Sequence, residues 1–155
     1  MDEPDASGSI DVAAPAERVY GLISDLAGMG SLAAEYTGGR WLDPAGGPRV
    51  GARFKGANRR GGRSWSTVAT VTDAGPDRFA FEVRSLGVPV SRWQYDIEPA
   101  ADGCRVTEST WDRRPAWFRP VSALTTGVRD RGRQNRLNIE ATLARLKRAA
   151  EAGGR

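Results

Sequence analysis

Alternation of apolar and polar residues through the middle of the chain is the feature that most constrains its fold. Five successive runs between residues 50 and 110 have this two-residue period, and short turns rich in glycine, proline or aspartate separate them. The turn at Asp102-Gly103 is a strong hairpin signal. This period buries one face of each strand and leaves the other in solvent, as in an antiparallel sheet. Because short turns make sequential strands neighbours, we predict an antiparallel meander.

One long amphipathic segment, Leu124 to Ala150, follows the strands. On a helical wheel, Ile139, Leu143 and Leu146 share one stripe, whereas Leu137 lies on the opposite side. The N-terminal half of the same stripe instead contains Gly132 and Asn135. These two residues either leave room for a ligand or belong to a helix start without a selected role, and the sequence leaves both explanations open.

The first part of the chain predicts a strand over Ser9–Ala13, a helix from Pro15 onward and a second short helix over Ser31–Tyr36. Six or seven strands then have only one substantial helix to cover them. A sheet this wide must curl around the helix or leave its apolar face exposed. We therefore predict an α+β fold, with a curved antiparallel sheet of six to seven strands wrapped around the long C-terminal helix. The expected organisation is a disordered N-terminus over 1–8, a single domain over 9–150 and a flexible C-terminus over 151–155.

The composition excludes several kinds of chemistry. The 155 residues include no histidine, which removes histidine-based nucleophile systems and the usual zinc and iron sites. Acid–base chemistry would fall to Asp, Glu, Tyr, Lys or Cys. We expect no metal and no cofactor.

The sequence also bears on location. Its one cysteine, Cys104, suits a reducing compartment. No apolar run reaches the roughly 18 residues of a membrane span, and the acidic N-terminus does not read as a secretion signal. We expect a cytoplasmic protein without a membrane span.

Positive charge is concentrated near the C-terminus. The net charge is +4, and the stretch Arg113–Arg148 contains ten basic and two acidic residues. This segment is either the solvated face of a helix or a docking surface for a macromolecule. We do not expect nucleic acid as the partner, and the oligomeric state stays open. Arginines at two strand ends would suit an anionic ligand or are ordinary surface charge; they are Arg59, Arg60, Arg63, Arg113 and Arg114.

Several stretches, in this order, resemble the helix-grip fold of the START-like superfamily, and more closely the SRPBCC group of polyketide cyclase/dehydrase and lipid transport proteins. The clearest are Ile10–Pro15, Val50–Phe54, Trp93–Pro99, Arg105–Ser109 and Thr142–Lys147. The resemblance implies two short helices after the first strand and a cavity for a ligand. This fold hosts carriers, cyclases and hydrolases without one catalytic set, so no catalytic residue is carried over. Many relatives have a tryptophan where this chain has Leu32.

Residues on the inward faces of the strands are candidates for lining such a cavity. Six are aromatic: Phe54, Trp65, Phe79, Phe81, Trp93 and Tyr95. Aromatic rings on strands can bind a flat ligand or simply fill a core. The remaining candidates are small or polar residues in register with apolar neighbours: Asn58, Thr67, Glu108, Thr110, Gly132 and Asn135.

Glu108 is the candidate with the clearest chemical consequence. It shares a strand face with Cys104 and Val106, which predicts that its carboxyl group is buried. A buried carboxyl group must be paired, protonated or functional. A salt bridge to a neighbouring arginine, or a bulge that turns Glu108 outward, would make it structural. Otherwise Glu108 is a candidate catalytic residue.

These observations predict a binding protein for a small hydrophobic ligand, such as a polyketide, a lipid or an aromatic metabolite, in a cavity between the sheet and the C-terminal helix. Two alternatives remain. One is a polyketide aromatase/cyclase that acts by folding its substrate in the pocket. The other is a macromolecular interaction module that uses the arginine-rich C-terminal helix.

Overall fold

The computed structural model describes residues 2–33, 35–43 and 47–152 and consists of one antiparallel sheet with a long C-terminal helix. In chain order, the elements are β1 (Ala6–Val12), α1 (Ala16–Ser24), a 3₁₀ helix (Gly28–Ser31), β2 (Tyr36–Trp41), β3 (Arg53–Arg60), β4 (Arg63–Gly75), β5 (Arg78–Ser85), β6 (Val88–Ala100), β7 (Gly103–Asp112), α2 (Phe118–Thr126) and α3 (Arg131–Ala152).

The sheet has seven strands in the order β1-β7-β6-β5-β4-β3-β2. Strands β2 to β7 form the predicted meander, and β1 pairs with β7 at one edge. Register shifts occur between Tyr36 and Gly38, between Val71 and Asp73, and between Val83 and Arg84. Such irregularities bend and twist strands, which helps a wide sheet to curve. The α+β helix-grip fold is confirmed.

The hairpin expected at Asp102-Gly103 joins β6 to β7. Gly103 has a φ of 144°, which side-chain-bearing residues rarely adopt. A Cβ atom there would also collide with the backbone carbonyl of Val12. Glycine therefore permits both the turn and the close approach of β1.

The core lies between α1, the sheet and the C-terminal half of α3. Ile139, Leu143 and Leu146 are at most 3% exposed, and Leu137 is 50% exposed. The predicted apolar stripe of the helix is therefore confirmed. Burial of this stripe against β1 and β7 holds the helix on the sheet.

The expectation of one continuous helix from Leu124 to Ala150 is wrong. Gly127 has a φ of 76°, and its N–H donates to the carbonyl of Ala123, which is a left-handed end to α2. A new helix then starts at Arg131, where the Asp130 carboxylate accepts the Arg133 N–H at 3.0 Å. Leu124 is 74% exposed and does not belong to the core stripe.

Two further expectations about the first part of the chain need correction. Residues 6–8 are not disordered, because they begin β1 and pair with residues 108–110 of β7. The short helix after α1 lies at Gly28–Ser31 and not at Ser31–Tyr36, because Tyr36 already pairs with Asn58 in the sheet. Met1, Ala34 and residues 153–155, on which some of these expectations fall, lie outside the described residues.

Within the described part of the chain, no helix is long and apolar enough to cross a membrane.

Candidate functional site

A cavity of about 220 Å³ lies between the sheet and the helices α2 and α3. Residues from β2 to β7 line one side of it, and both helices contribute to the other. The cavity exists because the core-filling residues of α3, Ile139 and beyond, are confined to the C-terminal part of the helix. Of the two residues that the sequence offered for a gap beside the helix, Asn135 lines the cavity and Gly132 does not.

The strand side of the cavity is an aromatic wall, which we define as Phe54, Trp65, Phe81, Trp93 and Tyr95. The period of two residues along each strand points these rings to one face. Strand pairing places Phe81 opposite Trp93. Phe54 is held by edge-on contacts with Trp41 and Tyr36, with ring centroids 5.2 and 6.1 Å away. These rings give the cavity a rigid, apolar surface.

Nine of the twelve expected pocket residues line this cavity: the five residues of the aromatic wall together with Asn58, Thr67, Glu108 and Asn135. Asn58 and Thr67 are diagonal neighbours on β3 and β4, and the Asn58 amide donates to the Thr67 hydroxyl at 3.0 Å. Whether all nine contact a ligand stays a prediction.

The other three expected residues do not line the cavity. Phe79 is fully buried because Tyr20 of α1 covers it, with ring centroids 6.2 Å apart. Thr110 is also fully buried, and its hydroxyl donates to the backbone carbonyl of Arg92 at 2.9 Å. Gly132 lies in the first turn of α3, where an added Cβ atom would meet only the Asp130 carboxylate, at 3.7 Å.

Glu108 lines the cavity and is only 2% exposed. Its Oε2 atom accepts a hydrogen bond from the Tyr95 hydroxyl at 2.8 Å, and its Oε1 atom has no hydrogen-bond partner among the described residues. Neither the arginine salt bridge nor the outward bulge considered from the sequence is present at Glu108 within the described structure. The carboxyl group is therefore buried with one neutral partner.

Burial is the main cause of a raised pKa at this pair. It raises the pKa of Glu108 to about 8, although the hydrogen bond from Tyr95 acts in the opposite direction. Burial and the neighbouring carboxyl group both raise the pKa of Tyr95 well above its ordinary value. At neutral pH, the protonated form of Glu108 is therefore favoured, and the group can exchange a proton in the physiological range.

A row of polar side chains on α3 forms the opposite wall of the cavity. Arg131, Asn135, Asn138 and Thr142 all line it, at spacings of four, three and four residues. We call these four residues the polar stripe. The Asn135 side chain is 7% exposed and makes no hydrogen bond to another described residue. The cavity thus lies between an aromatic wall and a hydrogen-bonding wall.

The N-terminal end of the polar stripe is held by Glu35. Its two carboxylate oxygens accept hydrogen bonds from Nη1 of Arg131 at 2.8 and 3.1 Å, and the Asn138 amide donates to the same carboxylate. Gln134 donates to the Asn138 oxygen at 2.9 Å and is itself contacted by Arg60. Burial lowers the pKa of Arg131, and the nearby Glu35 opposes that effect. This network orients Arg131 toward the cavity.

A second ion pair lies at the end of β7, and a hydrogen bond joins it to α2. Arg114 donates from Nε and Nη2 to the two oxygens of Asp112 at 2.9 and 2.7 Å, and its Nη1 reaches the Ser122 hydroxyl at 3.2 Å. Burial acts to raise the pKa of Asp112, but the hydrogen bonds from Arg114 outweigh it and the pKa is lowered. Arg114, Asp112 and Ser122 all line the cavity, so the hydrogen bond from Arg114 to Ser122 links the end of β7 to α2 at the cavity wall.

The cavity reaches solvent at α2 and at the turn that joins β5 to β6. Leu86 in that turn is 90% exposed and Val121 of α2 is 42% exposed, yet both line the cavity. The cavity is therefore accessible from solvent at these two elements.

Sequence reasoning did not single out Glu35, Arg131, Asn138 or Thr142 as cavity residues. A usable signal existed for three of them, because polar residues recur at helical spacing on the stripe that later becomes apolar. No comparable signal existed for Glu35, because it contacts Arg131 only after folding brings these two distant parts of the sequence together.

Comparison with known proteins places this architecture in context. A family model described as polyketide cyclase/dehydrase and lipid transport matches residues 3–151. The solution structure of a polyketide-cyclase-like protein from Corynebacterium glutamicum is similar, with 28% sequence identity, a TM-score of 0.61 and coverage of 99% of this chain and 95% of that one. A search of the curated proteins finds no match.

Two more distant structures share the fold. The protein NE0264 from Nitrosomonas europaea has 14% identity and a TM-score of 0.68, with 99% of both chains covered. The di-domain ARO/CYC StfQ from the steffimycin biosynthetic pathway has 13% identity and a TM-score of 0.72. That match covers 96% of this chain but 50% of the di-domain chain.

Proposed function

Because this chain belongs to the polyketide cyclase/dehydrase and lipid transport family, we propose that its cavity binds a small, largely apolar organic ligand between the aromatic wall and the polar stripe. The observation that carries this proposal is the cavity itself, which the folded chain leaves unfilled between two walls of different chemistry. Its volume of about 220 Å³ is smaller than the roughly 300–1,000 Å³ of pockets for drug-sized ligands. A ligand with one or two rings, or a short chain, fits this size.

Native mass spectrometry of the purified protein tests the proposal, together with titration by the apolar dye Nile red. We expect a retained organic molecule, or a saturable rise in dye fluorescence. Replacement of Thr67, a half-buried cavity residue on β4, by Trp should fill the cavity and abolish the signal. Gly132→Leu is the matched control, since Gly132 lies outside the lining. Equal dye binding by both variants would contradict the proposal.

The Glu108–Tyr95 pair supports an enzymatic role of the cyclase type as a second candidate function. A buried carboxyl group with a pKa of about 8 is mainly protonated at neutral pH, and its ionised fraction, which grows as the pH rises, can act as a base. Aldol closure of a poly-β-ketone requires removal of a proton from an activated carbon. Deuterium exchange into a small 1,3-diketone, followed by NMR in D₂O, would test for this activity. We expect Glu108→Gln to reduce any enzyme-dependent exchange strongly; unchanged exchange would exclude Glu108 as the base.

The interaction-module alternative is not favoured by these comparisons. Several basic residues of the Arg113–Arg148 segment are used inside the fold. Arg114 and Arg131 pair with carboxylates, and Arg145 donates to the backbone carbonyls of Leu32 and Ala33. The positive charge of this segment therefore serves in part to hold the fold together.

We also propose a cytoplasmic location. The support is Cys104, the one cysteine of the sequence, which is a buried free thiol on β7. Fractionation of cells that express a tagged chain would test it, and recovery outside the cytoplasm would contradict it.

A further inference from the structure

Asn135 is a polar side chain that has no hydrogen-bond partner among the described residues. It is 7% exposed, lines the cavity, and makes no hydrogen bond to another described residue. A buried amide without hydrogen bonds costs stability, and buried polar groups are normally satisfied. The Asn135 amide is not sealed off and lines the cavity, so a polar group of the ligand, or water in its place, can complete its hydrogen bonds.

Arg131 lies one helical turn before Asn135 and on the same face of α3. Only Nη1 of its guanidinium bonds to Glu35, and Nε and Nη2 make no hydrogen bond to another described residue. These two nitrogens form the edge that can bind both oxygens of a planar carboxylate at once. The Arg131 side chain lines the cavity and is 15% exposed, so its guanidinium lies in a largely desolvated site.

Two further arginines lie near Arg131. Arg60 and Arg114 are both close enough to Arg131 to lower its pKa by repulsion, after the larger effect of burial. Glu35 balances Arg131 and Asp112 balances Arg114, whereas the side chain of Arg60 bonds only to the neutral Gln134 among the described residues. An anion beside Arg131 would relieve this repulsion.

We propose that the cavity is a site for an apolar carboxylate, whose carboxylate group binds the free edge of Arg131 and the amide of Asn135 while its apolar body lies on the aromatic wall. This inference rests on the proposed function and names the class of ligand for the same cavity. Arg131 and Asn135 are then the residues that determine specificity for the anion.

Three probes of the same shape provide the test: 2-naphthoate, 2-naphthamide and 2-naphthalenemethanol. Each has two fused rings and differs only in the polar group. Isothermal titration calorimetry on the full chain at neutral pH and low salt would measure their affinities. We expect 2-naphthoate to bind at least about tenfold more tightly than the other two, because hydrogen bonds to charged groups are the stronger ones.

Variants of three residues separate binding from structural effects. Arg131→Gln and Asn135→Leu should each weaken binding of 2-naphthoate about tenfold or more, and leave 2-naphthalenemethanol little changed. Glu35→Gln should tighten 2-naphthoate binding, because it removes the negative charge that competes for Arg131; a purely structural role for Glu35 would not do this. Arg136→Gln, on an exposed position of α3, is the matched control. Asn135→Leu breaks no hydrogen bond of the described structure and keeps the test valid if Arg131→Gln does not fold.

The outcomes are distinct. Equal affinities for the three probes would overturn the carboxylate assignment and leave the proposed function in place. Binding of none of the probes would overturn both. Selectivity for 2-naphthoate that survives Asn135→Leu and Arg131→Gln would place the anion elsewhere and overturn the inference as well.

Discussion

The hydroxyl of Tyr95 donates a hydrogen bond to the carboxyl group of Glu108 at 2.8 Å, directly across the pairing of β6 with β7. Among the described residues, this is the only hydrogen bond that the Glu108 side chain accepts. A carboxyl group that is buried with a single neutral donor is poorly stabilised as an anion. The pair therefore links the chemistry of the cavity to the pH dependence of folding.

Glu108 should make the protein less stable at alkaline pH. Burial raises its pKa to about 8 from the ordinary 4.5, so the folded state binds the proton more tightly than the unfolded state. The contribution of this proton to stability is fully present below pH 4.5 and is lost as the pH rises through 8. We expect Glu108→Gln, which cannot ionise, to gain a few kcal/mol of stability relative to the wild type between pH 5 and pH 9.

Urea unfolding of both proteins at these two pH values measures the effect. Glu140→Gln, on an exposed position of α3, is the control and should follow the wild-type curve. Parallel pH dependence of Glu108→Gln and the wild type would contradict the assignment of a buried, mainly protonated Glu108.

The apolar stripe of α3 should dominate the stability of the helix-to-sheet contact. Leu143 is 3% exposed and Leu146 is fully buried, so replacement of either by Ala should cost about 2–5 kcal/mol. Leu137 is 50% exposed, and Leu137→Ala should cost much less. Chemical denaturation of the three variants tests this difference; similar losses at positions 137 and 143 would mean that the helix is rotated.

Gly127 should be required to end α2. Its φ of 76° favours glycine, and an added Cβ atom would lie 2.8 Å from Nε of Arg63. Gly127→Ala should therefore cost about 1–2 kcal/mol. Gly62→Ala is the control, since an added Cβ atom there meets nothing within 4 Å. If both changes had the same small effect on the unfolding midpoint, this would contradict the assignment of a left-handed conformation to Gly127 at the end of α2.

Gly132→Leu should leave ligand binding unchanged, because Gly132 does not line the cavity. Its only near neighbour would be the Asp130 carboxylate at 3.7 Å, and the helix propensity improves by roughly 0.8 kcal/mol. The melting temperature should hold or rise, while Nile red affinity stays at the wild-type value. Loss of dye binding would show that the first turn of α3 borders the ligand after all.

The sequence predicted those parts of the structure that depend on local periodicity. The two-residue period placed Trp65, Phe81 and Trp93 on one face, and the helical period separated Leu143 from Leu137. In both cases the face of the element follows from the backbone geometry alone.

Other features depend on contacts that the sequence does not encode locally. Positions 127 and 132 are both glycine and both belong to the amphipathic segment predicted from the sequence. Only Gly127 adopts a left-handed φ, and it lies beside Arg63 from a distant hairpin. Phe79 has the correct alternation for the cavity but is covered by Tyr20. Such outcomes require the tertiary structure.

The central claim is that a ligand binds between the aromatic wall and the polar stripe, and NMR titration tests it most directly. On addition of 2-naphthoate, the side-chain amide signals of Asn135 and the indole N–H signals of Trp65 and Trp93 should shift together and saturate. The indole signal of Trp117, which is 65% exposed and outside the lining, should stay in place. Shifts confined to Trp117 and other surface residues, with Asn135, Trp65 and Trp93 unchanged, would contradict the account.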